Sequence, residues 1–296
     1  MRKETRAGGH LRHAEHSLAL HTISTLPLDP NFPLFAHYPA MKLGVLESVR
    51  YYARRLVPLV ETIMNSRPES AGWVLTAPPL YAIPSGANLL AWEVHRILDD
   101  STLRKGFVRG VDVRYSLPNP GSRDFCKGSE YSGPGLADRI RNRRRLFEGA
   151  WAPKPDPADF RDRDVIVIND INVTGTHQRF MRRNLATASP ARIHWIHIFQ
   201  VDPILGRSHP ELEQSLNYLS MQTPEEFAAT VAGAEIKYTS RSISRLLDFP
   251  KAKLAPLIRS LDETNRRKLA QLIDEEGAYQ EPEYKTKLEL LREDTP

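Results

Sequence analysis

The feature that most constrains the fold is the run Asp164-Val165-Ile166-Val167-Ile168-Asn169-Asp170. Its four consecutive β-branched apolar residues leave no polar face, so a strand built from them needs cover on both sides. That is the situation of an inner strand in a parallel sheet with helices on either face. The flanking segments agree. Trp73–Thr76 reads as a short strand closed by Ala77-Pro78-Pro79, Gly110–Tyr115 as a second, and Ile193–Phe199 as another. Between them, Leu46, Val49, Ala53, Leu56, Val60 and Ile63 recur at helical spacing, interrupted only by Pro58, and Ala87–Leu98 and about Thr176–Ala186 read as further helices. Strands alternating with helices predict an α/β class: a doubly wound, mainly parallel sheet with 164–170 at its centre.

The spacing divides the chain into an N-terminal arm (1–40), a core (41–203) and a helical C-terminal extension (204–296). His10, His13, His16 and His21 lie in the arm without carboxylate or cysteine partners, so the arm is read as a polar segment draped over the core, not as a metal site. In the extension, Thr223-Pro224-Glu225-Glu226 is a capping box with proline at the first helical position. Ser260-Leu261-Asp262-Glu263 opens another helix, expected to end near Glu276 before Gly277. Residues 116–135 are rich in Gly, Pro and Ser, and so long a loop is expected to be functional or mobile. A basic helix is expected from Leu136 to Trp151.

The single cysteine, Cys126, excludes an internal disulfide framework and a thiolate zinc site, and it is not expected to be a nucleophile. No apolar run approaches the roughly 18 residues of a membrane span, and the basic N-terminus lacks the apolar stretch of a secretory signal. A cytoplasmic protein is the expectation. The net charge of +5 suits an anionic ligand as well as nucleic acid.

Chemistry concentrates in Val165-Ile-Val-Ile-Asn-Asp-Ile-Asn-Val-Thr-Gly-Thr-His-Gln178. A central strand delivers Asn169 and Asp170 to its carboxyl end, the crevice where open α/β sheets bind ligands. The loop that follows leads into a helix N-terminus, where backbone N–H groups and the hydroxyls of Thr174 and Thr176 can cradle an anion and Gly175 permits close approach. A phosphate is thus placed beside a carboxylate suited to sugar hydroxyls. Asp170 is expected to stand outside the core, so that Asp170→Asn leaves stability nearly unchanged, and Asn169→Asp is expected to be tolerated.

This pattern resembles the signature of the type I phosphoribosyltransferases, most closely the ComF-like branch, whose bacterial members include some encoded with tellurite- and stress-response clusters. His37-Tyr38-Pro39-Ala40-Met41-Lys42, Thr76–Gly86, the basic helix Asp138–Trp151, Gly277-Ala278-Tyr279 and Pro282-Glu283-Tyr284 carry the resemblance further. It implies phosphoribosyl pyrophosphate and Mg²⁺ as co-substrate and cofactor, an unidentified acceptor base and a nucleotide-like product. Thr174, Gly175, Thr176, His177 and Gln178 would hold the 5′-phosphate, and Asp170 with Asn169 the ribose hydroxyls, Asp170 also facing the metal. Tyr81, Ala82, Ser85 and Gly86 would form the pyrophosphate loop.

Two departures stand out. Asn169 replaces the first acidic residue of the family's pair, and Val173 stands where 6-oxopurine enzymes carry an acid, which argues against hypoxanthine or guanine. The pyrophosphate loop has no basic residue, so Arg139, Arg143 or their neighbours Arg141, Arg144 and Arg145 are expected to supply the charge, with Lys42 and Arg114 as weaker candidates. Nucleic acid is a less favoured partner, and a homo-oligomer is the expected assembly. The rival reading is a non-catalytic nucleotide-sensing regulator on the same fold.

Overall fold

The structure, a computed structural model, describes residues 15–80, 82–101, 107–113, 156–219, 221–276, 279 and 282–292. Five strands form one all-parallel sheet in the order β1-β5-β4-β2-β3: β1 (Ser17–Ile23), β2 (Trp73–Thr76), β3 (Val108–Gly110), β4 (Asp164–Asn172) and β5 (Arg192–Val201). The strand carrying the signature is central, as its two-sided apolar run requires. Its side chains divide between two cores. Ile166 and Ile168 pack with Leu75, Ile196 and Ile198 under α3 (Leu46–Asn65) and α4 (Gly86–Asp100). Val165 and Val167 pack with Val74, Ile193 and Trp195 under Met181 and Leu185 of α6 (Thr176–Leu185). Helices on both faces make the sheet doubly wound.

Three differences from expectation have physical reasons. Part of the stretch read as an arm is strand β1, which pairs with β5 over Ser17–Ile23. Its weak alternation and its histidine, His21, give little strand signal, and its half-buried edge position demands little. His21 there packs among Phe32, Phe35 and Phe199. Helix α3 runs through Pro58 unbroken, because its buried stripe from Val49 to Met64 holds it on the sheet. The edge strand β3 lies at 108–110, ahead of the expected 110–115, of which 114 and 115 lie outside the described residues, while β4 extends to Asn172, so Asn169 and Asp170 lie inside the strand rather than at its end. The loop 116–135, the helix 136–151 and Cys126 lie outside the described residues.

Short helices complete the core: α1 (Pro33–Ala36), α2 (Tyr38–Leu43) and α5 (Pro157–Phe160). After β5 the chain is helical: α7 (Pro203–Ser208), α8 (Leu212–Asn217), α9 (Pro224–Val231), α10 (Ser240–Asp248), α11 (Lys251–Ser260), α12 (Glu263–Glu276) and α13 (Pro282–Arg292). The capping box at Thr223 is formed, its side chain accepting from the Glu226 N–H at 3.2 Å. These helices close a third core, which takes in Leu43 and Ile83 from the sheet-bearing part. The junction is backbone-tight. Gly44 holds φ +94° with the Lys237 carbonyl where a Cβ would stand, at 1.9 Å, so only glycine fits. Lys237 N–H donates to the Gly44 carbonyl, Leu46 N–H to Glu235, and Thr239 Oγ1 to the Lys42 carbonyl. Among the described residues no helix is long and apolar enough to cross a membrane.

Candidate functional site

A cleft open to solvent lies at the carboxyl end of β4, lined by residues 169–177 and Glu213. The loop from Val173 bends into α6 at Gly175, whose φ of +70° is the left-handed conformation that glycine adopts without strain. Gly175 N–H donates to Asn172 Oδ1 at 2.8 Å, and the hydroxyls of Thr174 and Thr176 lie 2.9 Å apart. Asn172 is itself fixed by Gln178 and Gln200, at 2.8 and 3.1 Å. Arg179, one turn into α6, donates to Thr176 Oγ1 at 3.4 Å. The result is a helix N-terminus bearing two hydroxyls and an adjacent guanidinium, a setting suited to a phosphate.

The loop is held from behind by a residue without a local signal. Gly206 of α7 packs so close to Val173 that a Cβ would stand 2.1 Å from its carbonyl oxygen. Any side chain there would push on the backbone at Val173, where the loop into α6 begins.

Asp170 is not the free carboxylate at a strand end that the sequence suggests. It is 7% exposed, and its Oδ1 accepts the Ile171 N–H at 2.9 Å. Its Oδ2 accepts Tyr38 OH at 3.2 Å and is paired to the buried ammonium of Lys42. Lys42 Nζ also lies 3.5 Å from Glu213 Oε1. One buried cation thus serves two buried carboxylates. Burial, then the charges of Asp170 and Glu213, hold the Tyr38 hydroxyl far above its ordinary titration range, so it stays a donor. Asn169 Nδ2 donates to the Ile171 carbonyl at 2.9 Å. Across the ladder from Asn169 stands His197, fully buried and neutral, its pKa lowered to about 4 by desolvation against the opposing pull of Asp170.

This donor set does not fit a divalent cation held by Asp170. Its Oδ2 is already bonded to an ammonium and a phenol, and Asn169 offers no charge. Among the described residues no three His, Cys, Asp or Glu side chains converge on a metal position.

The expected pyrophosphate loop follows β2, the hydrogen-bonded neighbour of β4, so the two loops share one edge of the sheet. Its groups are already engaged. The N–H groups of Ala82 and Ile83 both donate to Oε2 of Glu276, at 3.0 and 2.8 Å. The Pro84 carbonyl accepts the Ser240 N–H at 2.9 Å. Ser85 caps α4 in a box with Asn88. Gly86 lets α4 approach α2, since a Cβ would stand 2.9 Å from Met41 Sδ. Tyr81, Arg114, Arg139, Arg143 and the neighbouring arginines lie outside the described residues.

The fold therefore brings residues 169–178 together in one cleft and places Ala82, Ser85 and Gly86 on the neighbouring loop. Tyr38, Glu213, Gly206 and Glu276 were not foreseen from sequence, and Lys42 was read as an anion ligand instead of a carboxylate partner. Of these, only the charge of Lys42 in an otherwise apolar helix was a local signal. Residues 154–291 match the family model of ComF-like phosphoribosyltransferases, a match that crosses the expected boundary at 203 and includes α12 with Glu276. No curated protein matches the chain.

Proposed function

Because residues 154–291 belong to the ComF-like phosphoribosyltransferase family, we propose that the chain binds a 5-phosphoribosyl group in the cleft and transfers it from phosphoribosyl pyrophosphate to a nitrogen base. The observation that supports this is the 173–178 loop: an N-terminal helix turn with paired hydroxyls, opening on the carboxyl side of the central strand. Thr174, Gly175, Thr176, His177 and Gln178 surround the 5′-phosphate, and Asp170, oriented by Lys42 and Tyr38, accepts from a ribose hydroxyl. In the reaction the anomeric C–O bond breaks with its electron pair leaving on pyrophosphate. The base nitrogen forms the new C–N bond, and its proton passes to solvent. Little of this demands covalent participation by the protein; positioning and electrostatic complementarity carry it. Mg²⁺ would arrive with the diphosphate, as part of the substrate, where it would neutralise the departing charge.

Calorimetric titration with ribose 5-phosphate tests the binding half. Thr176→Val is expected to weaken it about tenfold, as loss of a hydrogen bond to a charged group does. Equal affinity would sink the phosphate assignment. Pyrophosphate release from phosphoribosyl pyrophosphate with a panel of bases tests the transfer.

A second reading, the non-catalytic nucleotide sensor, is favoured by the commitment of Asp170 to Lys42 and by Asn169. It requires ribose 5-phosphate binding without pyrophosphate release for any base.

A further inference from the structure

The geometry points to Glu276 as an internal competitor for the expected pyrophosphate loop: seated on its amides, it leaves the 5′-phosphate cradle alone and must give way before a diphosphate binds there. This rests on the phosphate-site reading above and deepens it.

Two consecutive N–H groups, from Ala82 and Ile83, converge on one carboxylate oxygen. Converging amides of this kind form a concavity selective for anions, and here the chain supplies the anion itself. Glu276 ends α12, is 7% exposed, and reaches this loop across 193 residues of sequence. It does so because Ile83 is buried in the helical core and Ser240 pins the next carbonyl. Segment 82–86 has no Lys or Arg to attract a diphosphate against that carboxylate. A diphosphate oxygen and Glu276 Oε2 would need the same two donors, and as like charges they would repel within hydrogen-bond distance. The two cannot hold these amides at once, so Glu276 must withdraw for a diphosphate to seat. The 173–178 cradle lies on the next strand's loop, apart from the two amides that Glu276 occupies. The C-terminal helices thus act on ligand choice as well as on folding.

The test is calorimetric titration of the full chain with inorganic pyrophosphate and, separately, ribose 5-phosphate. Glu276→Gln removes the charge and keeps the length. It is expected to tighten pyrophosphate binding about ten- to a hundredfold while changing ribose 5-phosphate affinity less than about twofold. Glu276→Asp keeps the charge and draws the carboxylate back by one methylene, and is expected to tighten pyrophosphate binding a few-fold. It stands in should Glu276→Gln fail to fold. Glu275→Gln, on the exposed side of α12, controls for net charge and is expected to match the parent. Unchanged pyrophosphate affinity in the folded Glu276 variants, with ribose 5-phosphate bound normally, overturns the role of Glu276 and leaves the phosphate site standing. An equal gain in Glu275→Gln overturns it too, as a mere charge effect. Absence of ribose 5-phosphate binding in every variant overturns the functional reading and this inference together.

Discussion

Removing Lys42 tests whether the buried charge cluster is what holds the floor of the site. Lys42, Asp170 and Glu213 are each 7% exposed, and together they carry one excess negative charge. At 3.5 Å and an effective dielectric of about 20, the Lys42–Glu213 attraction alone is about 5 kcal/mol before desolvation is charged against it. Lys42→Met preserves most of the volume and the apolar stem but takes their shared cation from two buried carboxylates. Breaking a buried pair this way costs about 3–5 kcal/mol, a large share of the 5–15 kcal/mol (order of magnitude) that keeps a protein folded. Asp170→Asn behaves differently, because the ammonium keeps Glu213 and the cluster becomes neutral. Its cost is expected at about 1–3 kcal/mol, from the weaker bonds to Tyr38 and Lys42. The double variant is expected to be less destabilised than the sum of the two, by about 0.5–3 kcal/mol. Urea unfolding followed by circular dichroism, with the denaturant slope compared across the set, reads all three. A Lys42→Met loss below about 1 kcal/mol at unchanged slope, or an Asp170→Asn loss exceeding it, would refute the charge-cluster reasoning. So the earlier expectation that Asp170→Asn is silent for stability gives way to a measurable loss.

Three further outcomes are expected. His197 titrates at about 4 when folded against 6.5 ordinarily, so the unfolded chain binds the extra proton between those values and stability falls as pH drops through that window. His197→Leu should remove up to about 1.4 kcal/mol per pH unit of that slope in melts at pH 4–6.5, and an unaltered slope would clear His197 of the effect. Gly206→Ala, forced against the Val173 carbonyl, should lower stability by about 1–3 kcal/mol and weaken ribose 5-phosphate binding; lost stability with intact binding would show that the loop does not feel α7. Asn169→Asp would set a carboxylate oxygen against the Ile171 carbonyl that Asn169 now donates to, and should cost about 1–3 kcal/mol, so thermal melts matching the parent would contradict this and return to the tolerance the sequence suggested.

The sequence alone determined what depends on neighbours along the chain. The β-branched run 165–168 demanded cover on both faces, and the sheet gives it Ile166 and Ile168 on one core, Val165 and Val167 on the other. The helix that starts at Thr176, with Gly175 in the left-handed region before it, is likewise local chemistry, as is the capping box at Thr223. What the tertiary structure decided are the pairings between distant segments. Lys42 meets Asp170 across 128 residues, and Glu276 meets Ile83 across 193. Neither spacing leaves a periodic trace. A carboxylate read alone is a free acid poised for a hydroxyl or a metal, and a loop read alone offers bare amides to a diphosphate. Only the folded chain shows that an ammonium already stands on one and a carboxylate on the other, because burial obliges each polar group to find a partner.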